Sequence, residues 1–264
     1  MANPPHGPRN IPRDQYVVGL LRKHGPQSAA MLVAHAAAQT PSAAQSPAAA
    51  QTPTADLDAL ERALQAQPDD LKAGNDYRMA VIQAGQYDRA IAFFGKLVAA
   101  NPNAPNAHLN YGFEYVDKIP AAGAITQVIL ANNALGEFTK SLEIKPSWIG
   151  YYTRGNSYLF WPKIFNRTHL GVDDLQEALK MQKSGPKHAY YVRVYIALGD
   201  GHWKMDDFDE AGKTWRAGLE EFPDNAVLKS RLASQGDALK TLIDDAYDSN
   251  KRVDTSLSDL WSGQ

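Results

Sequence analysis

Four stretches of the chain close on proline after the same arrangement of apolar and polar positions. They read LDALERALQAQP to Pro68, YDRAIAFFGKLVAANP to Pro102, LGEFTKSLEIKP to Pro146 and FDEAGKTWRAGLEEFP to Pro223. In each, apolar residues recur every three or four positions, the period of a helix with one buried face. Pro68 and Pro102 stand 34 residues apart. A repeat of that length, made of two amphipathic helices, cannot bury its apolar face alone, so successive repeats must stack. The pattern predicts an all-α protein, a right-handed α-solenoid of antiparallel helix pairs. It would hold about four repeats, a leading half-repeat (residues 56–68) and a C-terminal capping helix, over residues 56–247.

The register within each repeat is specific. In residues 71–104, Tyr77, Val81, Tyr87 and Phe94 take large positions, Ala90 a small one, and Gly85 marks the turn between helices. The next repeat places His108, Tyr111, Gly112 and Tyr115 on its first helix and Ala134, Phe138 and Leu142 on its second. A third begins near Trp148 with Tyr151, Gly155 and Tyr158. A fourth carries Tyr195, Leu198, Gly199, Phe208, Ala211, Trp215 and Leu219. This alternation of large and small residues resembles the tetratricopeptide repeat (TPR), in which small residues let paired helices approach and large ones fill the gap to the next pair. The resemblance covers about residues 56–235. Gly74 and Arg78 depart from the pattern, which makes the first helix of the first repeat its weaker half.

Two stretches break the period. Ten extra residues separate Tyr115 from Ala134, and Ile125, Val128, Ile129, Leu135, Phe138 and Leu142 continue one apolar stripe. The insertion is expected to lengthen the second helix at its start, after the turn signal Pro120–Gly123. Around 160–170, Trp161–Pro162 ends a helix and an irregular stretch follows. Residues 117–131 and 160–170 are therefore where this solenoid becomes individual.

Residues 1–55 are a different material. QTPSAAQSPAAAQTPTA (39–55) has no aromatic or large aliphatic side chain and cannot offset its ordering entropy, so a disordered Ala/Pro-rich linker is expected there. Upstream, Arg22 and Lys23 precede the apolar SAAMLVAHAAA and the small-residue site Ala34–His35–Ala36, the order of a possible export signal. The compartment stays open between cytoplasmic and exported or periplasmic. At the other end, 248–264 is a polar tail expected to fray, although Leu257, Leu260 and Trp261 could dock.

Charge and composition narrow the chemistry. Residues 1–55 carry +3 and the remainder −5, within a total of −2, so a nucleic-acid partner has no electrostatic support. No apolar run reaches the length of a membrane span. Without cysteine there is no disulfide, thiolate metal site or thiol nucleophile. The seven histidines show no ligand spacing, and His108 and His202 fall at packing positions, so they are expected to be structural. The acidic run Asp206–Glu210 sits at a turn and helix start, where carboxylates favour the helix dipole. No catalytic constellation, metal site or cofactor motif is found, and an enzyme is not expected.

What remains is a binding surface. In such solenoids the first helix of each pair lines the concave face. The register places Asn75 and Met79, Asn106, Asn110 and Phe113, Tyr152, Asn156 and Phe160, and Arg193, Asp200, Trp203 and Lys204 on that face. Amides among aromatic rings suit an extended peptide. Asn106, Asn110 and Asn156 are the strongest candidates, because amides are costly to bury. TPR proteins that grip the C-terminal carboxylate of heat-shock chaperones share a Lys/Asn/Asn/Lys/Arg clamp. Here its places hold Asn75, Met79, Asn110, Ile149 and Thr153, and only Asn110 matches. The expected function is a non-enzymatic interaction module or scaffold that binds a peptide or partner protein, with self-association through the capping helices possible. The alternative is an exported cell-envelope factor that binds a glycan or small ligand.

Overall fold

A computed structural model of the protein describes residues 54–261; the Ala/Pro-rich segment and the signal-like stretch read in it lie outside them, except for the two residues that open the first helix. Among the described residues there are eleven α-helices and no strand. They are α1 (Thr54–Ala66), α2 (Leu71–Ala84), α3 (Tyr87–Ala100), α4 (Pro105–Lys118), α5 (Ala124–Ile144), α6 (Trp148–Tyr158), α7 (Thr168–Lys183), α8 (Val192–Lys204), α9 (Phe208–Glu221), α10 (Ala226–Ala233) and α11 (Gly236–Ala246). Consecutive helices pack as pairs, and each pair packs on the next. This is the expected stack: a half-repeat in α1, repeats in α2/α3, α4/α5, α6/α7 and α8/α9, and a cap in α10 and α11. No helix among the described residues is long and apolar enough to cross a membrane.

Local chemistry sets the boundaries. Asp70, Ser147, Asp207 and Asn225 cap α2, α6, α9 and α10, each side chain accepting a hydrogen bond from a backbone N–H of the first turn. Pro105 opens α4, where its missing N–H costs nothing. The pairing of helices depends on one recurrent position. A Cβ on Gly112 would stand 2.3 Å from the Phe138 ring, and one on Gly199 would stand 2.3 Å from Trp215. Glycine there lets α4 and α8 lie directly against the aromatic residues of α5 and α9.

The first repeat holds Arg78 at the equivalent place, and α2 touches α3 only sparsely while leaning on α4 instead. Its core survives because Tyr77, Phe93 and Phe94 meet edge to face, centroids 5.2–5.7 Å apart, over Leu57, Leu64 and Val81. The departure legible in the sequence thus has a structural counterpart, a looser first pair.

The first insertion lengthens the second helix, as expected: α5 has 21 residues against 14 in α4. At 1.5 Å per residue it overhangs its partner by about 10 Å. The apolar stripe is not buried along its whole length, however. Leu135, Phe138 and Leu142 are in the core, whereas Ile125 is 75% and Ile129 52% exposed, because the overhang lies beyond the end of α4. Phe208, expected in a packing position, is 58% exposed at the start of α9. The second insertion folds as a short 3-10 turn, Lys163–Phe165. The Arg167 guanidinium lies over the Trp161 ring at 3.8 Å and donates to Asn132 Oδ1 of α5 at 3.0 Å. The two insertions therefore meet.

The C-terminal residues differ most from expectation. Thr255 is buried, and Val253, Ser256, Leu257, Leu260 and Trp261 are half-buried. The polar tail does not stand away from the solenoid; it lies against the first helices, for reasons set by the side chains it meets there.

Candidate functional site

The first helices of the repeats, α2, α4, α6 and α8, are the ones expected to form one face, and where α2 meets α4 lies a buried polar network. Arg78 of α2 donates from Nε to Asn110 Oδ1 (3.2 Å), from Nη1 to Asp117 Oδ2 (2.6 Å), and from Nη2 to both Asn75 Oδ1 (3.2 Å) and the Thr255 carbonyl (2.9 Å). Its guanidinium also lies over the Phe113 ring, 4.6 Å from the centroid. The Thr255 hydroxyl donates to the other oxygen of Asp117. Arg78 and Asp117 have fully buried side chains. A guanidinium with every arm occupied is the arrangement in which a buried ion pair is tolerated.

Asn110, expected to face a ligand, is 1% exposed. Its amide is satisfied internally, because Nδ2 donates to the Leu71 carbonyl (3.3 Å) and the Asn106 carbonyl (3.1 Å) while Oδ1 accepts from Arg78. Glycine at position 74 makes this possible, since a Cβ there would stand 2.1 Å from the Asn110 amide nitrogen. Asn75 is buried in the same network. Asn106 is half-buried and ties the start of α4 to the turn between α1 and α2, its backbone N–H and side-chain amide both donating to Asp69. The rule that amides resist burial holds only where partners are lacking, and here Arg78 and backbone carbonyls supply them.

Beside this network, Glu114 is 0% exposed and neither carboxyl oxygen finds a hydrogen-bond partner among the described residues. Burial, with the Asp117 charge adding to it, pushes its carboxyl up to about 9. Glu114 is therefore held neutral at pH 7, inside a face that already contains one ion pair.

The other end of the face is organised around Asp200 of α8. It accepts from Arg231 Nε (2.9 Å) and Nη2 (3.0 Å), and both side chains are buried. Burial pushes Asp200 above the usual carboxylate range, although the guanidinium pulls it back. Phe160 meets Tyr247 edge on at 5.1 Å, and Lys204 Nζ lies 4.7 Å from the centroid of the same ring. Trp203 is half-buried in the apolar cluster of α8, α9 and the cap, and packs toward Phe208. Asp200, Phe160 and Lys204 thus hold the C-terminal cap and the residue that leaves it. His202 is buried, with Nδ1 3.7 Å from Asp207; His108 is buried, with Nδ1 2.7 Å from Glu137.

On α6, Tyr152 stacks on Trp148 at 5.3 Å and 10° and Asn156 is half-buried, as is Met79 on α2. Arg193 donates twice to Asp259, from Nε at 3.2 Å and from Nη2 at 2.6 Å. Of the residues expected to line one face, Asn75, Asn110 and Asp200 are buried, Trp203 packs in the cluster of α8, α9 and the cap, and Arg193 is met by the C-terminal segment. Sequence reasoning missed the buried groups Arg78, Glu114 and Asp117. The signal available was three ionisable residues on the first helices of two adjacent repeats, where apolar or small residues are the rule. Among the described residues no three His, Asp or Glu side chains converge in a way that could hold a metal ion.

No sequence-family model matches the chain, and no curated protein matches it. Solved structures do. The chain is similar to TTC0263, a thermophilic TPR protein of Thermus thermophilus, at 22% identity and a TM-score of 0.51, over 71% of this chain and 90% of that one. YrrB, a TPR protein with an unusual peptide-binding site, aligns at 18% identity and a TM-score of 0.47, over 77% of this chain and 90% of that one. The fold is that of a TPR-like helical solenoid.

Proposed function

We propose that this protein is a non-enzymatic interaction scaffold whose concave face receives a polypeptide segment. One observation carries the reading. The chain's own C-terminal segment lies against the first helices of the repeats, bonded to Arg78 of α2, to Asp117 of α4 and to Arg193 of α8. A surface that holds a non-helical segment and its closing turn through guanidinium and carboxylate groups and an apolar floor has the equipment to bind a peptide. The acidic balance of residues 56–264 fits a protein partner better than a nucleic acid.

The test is capture of bound proteins from cell extract on the immobilised full chain. A specific partner should be lost with Arg193→Glu, weakened with Asn156→Ala, and kept with Glu143→Lys, an exposed position on α5. A bound set that is unchanged by the two concave-face substitutions would remove that face from the account.

A further inference from the structure

The segment Lys251–Trp261 reads KRVDTSLSDLW, and from Thr255 onward it touches the first helices of the repeats in order. Arg252 donates to the Tyr87 hydroxyl at the start of α3 (2.6 Å). Thr255 places its carbonyl on Arg78 and its hydroxyl on Asp117. Leu257 packs with Ile149 against the apolar cluster of Leu109, Phe113 and Phe138. Asp259 takes both donors of Arg193. Three side chains, two residues apart, thus read three successive chemistries: an Arg–Asp pair, an apolar floor and a second guanidinium.

The hold is light. Among the described residues no backbone–backbone hydrogen bond joins 251–257 to a helix of the solenoid. The Arg193–Asp259 pair is open to solvent on both sides, where ion pairs contribute little. The segment is held through its Thr255 carbonyl and through side chains, with the Thr255 contacts buried and the Asp259 pair open, while the groups beneath it are fixed by the solenoid.

From this we infer that the face formed by the first helices selects a partner segment carrying a Ser or Thr hydroxyl, an apolar residue two positions on and an acidic residue two beyond that, with the turn that Leu257 (φ 50°) and the 3-10 residues Ser258–Leu260 make here. Lys251–Trp261 holds the place of that segment until the partner displaces it. The inference rests on the reading of the concave face as a recognition surface.

The probe is a fluorescent synthetic peptide of residues 250–264, titrated by anisotropy against the full chain. Wild type should bind it at least about ten-fold more weakly than full-length Leu257→Asp/Asp259→Lys, whose own segment is expelled, because a filled groove lowers apparent affinity by the fraction left open. The same peptide carrying Asp259→Lys should not bind the expelled variant. Equal binding to both proteins, or binding to neither, overturns the inference. A second measurement does not depend on that variant folding. The chain has no cysteine, so single Thr255→Cys and Ser249→Cys chains can be labelled with a thiol reagent. Thr255→Cys should react about ten-fold more slowly, since Thr255 is buried and Ser249 exposed; equal rates overturn the inference. Protection that appears only as the sedimenting mass doubles would put the segment in a second copy's groove, and would overturn the intrachain arrangement. If the peptide fails while Arg193→Glu still loses the captured partner, only this inference falls. If the peptide behaves as stated but capture ignores Arg193, it is the scaffold reading that falls.

Discussion

Arg78 stands where the repeats that follow hold Gly112, Gly155 and Gly199, and that one difference reorganises the first repeat. Its guanidinium gathers Asn75, Asn110, Asp117 and Thr255 into one buried cluster. Arg78→Ala should destabilise the protein by about 3–5 kcal/mol in urea unfolding, because Asp117 is left buried without its counter-charge. Adding Asp117→Ala should recover part of the loss. Glu114 makes a second prediction, on pH. Its carboxyl holds a proton up to about pH 9 in the folded chain, against an ordinary value of 4.5. The stability it contributes is fully present below about pH 4.5 and is lost as pH rises toward 9, where the unfolded chain has already released its proton. The slope reaches about 1.4 kcal/mol per pH unit at most. Glu114→Gln should flatten that decline in a series of thermal melts between pH 5 and 9. In the sequence Arg78 shows as a departure from the repeat, but its role does not, because one of its partners lies 177 residues away.

At the scale of elements, periodicity located the helices well, since each pair must bury a stripe recurring every three to four residues. Close approach within a pair depends on the glycine of its first helix. Gly112→Ala should cost about 1–3 kcal/mol, because the added Cβ would stand 2.3 Å from Phe138, a ring that is fully buried and cannot yield. Gly136→Ala is the matched control: nothing lies within 4 Å of its Cβ, so helix propensity alone should stabilise α5, by up to about 1 kcal/mol. The pair is checked by the shift of the denaturation midpoint in opposite directions. The same periodicity overstated the core of α5. A stripe shows that a face is apolar, not that a partner is long enough to cover it, and α4 ends before Ile125 and Ile129 are reached.

Across the whole molecule, stability in a stacked solenoid is a sum over neighbouring repeats, so local losses stay local. The first pair is the loosest, and α2 is held from the concave side by the C-terminal segment. Truncation after Asn250 should therefore raise amide hydrogen exchange in α2 and α4 well before α9, and uniform acceleration along the chain would contradict this. The architecture was legible in the chain alone: a 34-residue period, closing prolines, small residues at the close-contact positions and two insertions are local signals, each set by a helix and its neighbour. The occupied concave face was not. KRVDTSLSDLW has neither a helical period nor enough apolar residues to declare a place, and Asn110, expected to remain free, is satisfied by a guanidinium and backbone carbonyls. Which groups are buried there was decided only in three dimensions, where Thr255 meets Asp117 across 138 residues of chain, because a polar side chain's cost of burial depends on partners that sequence order does not bring together.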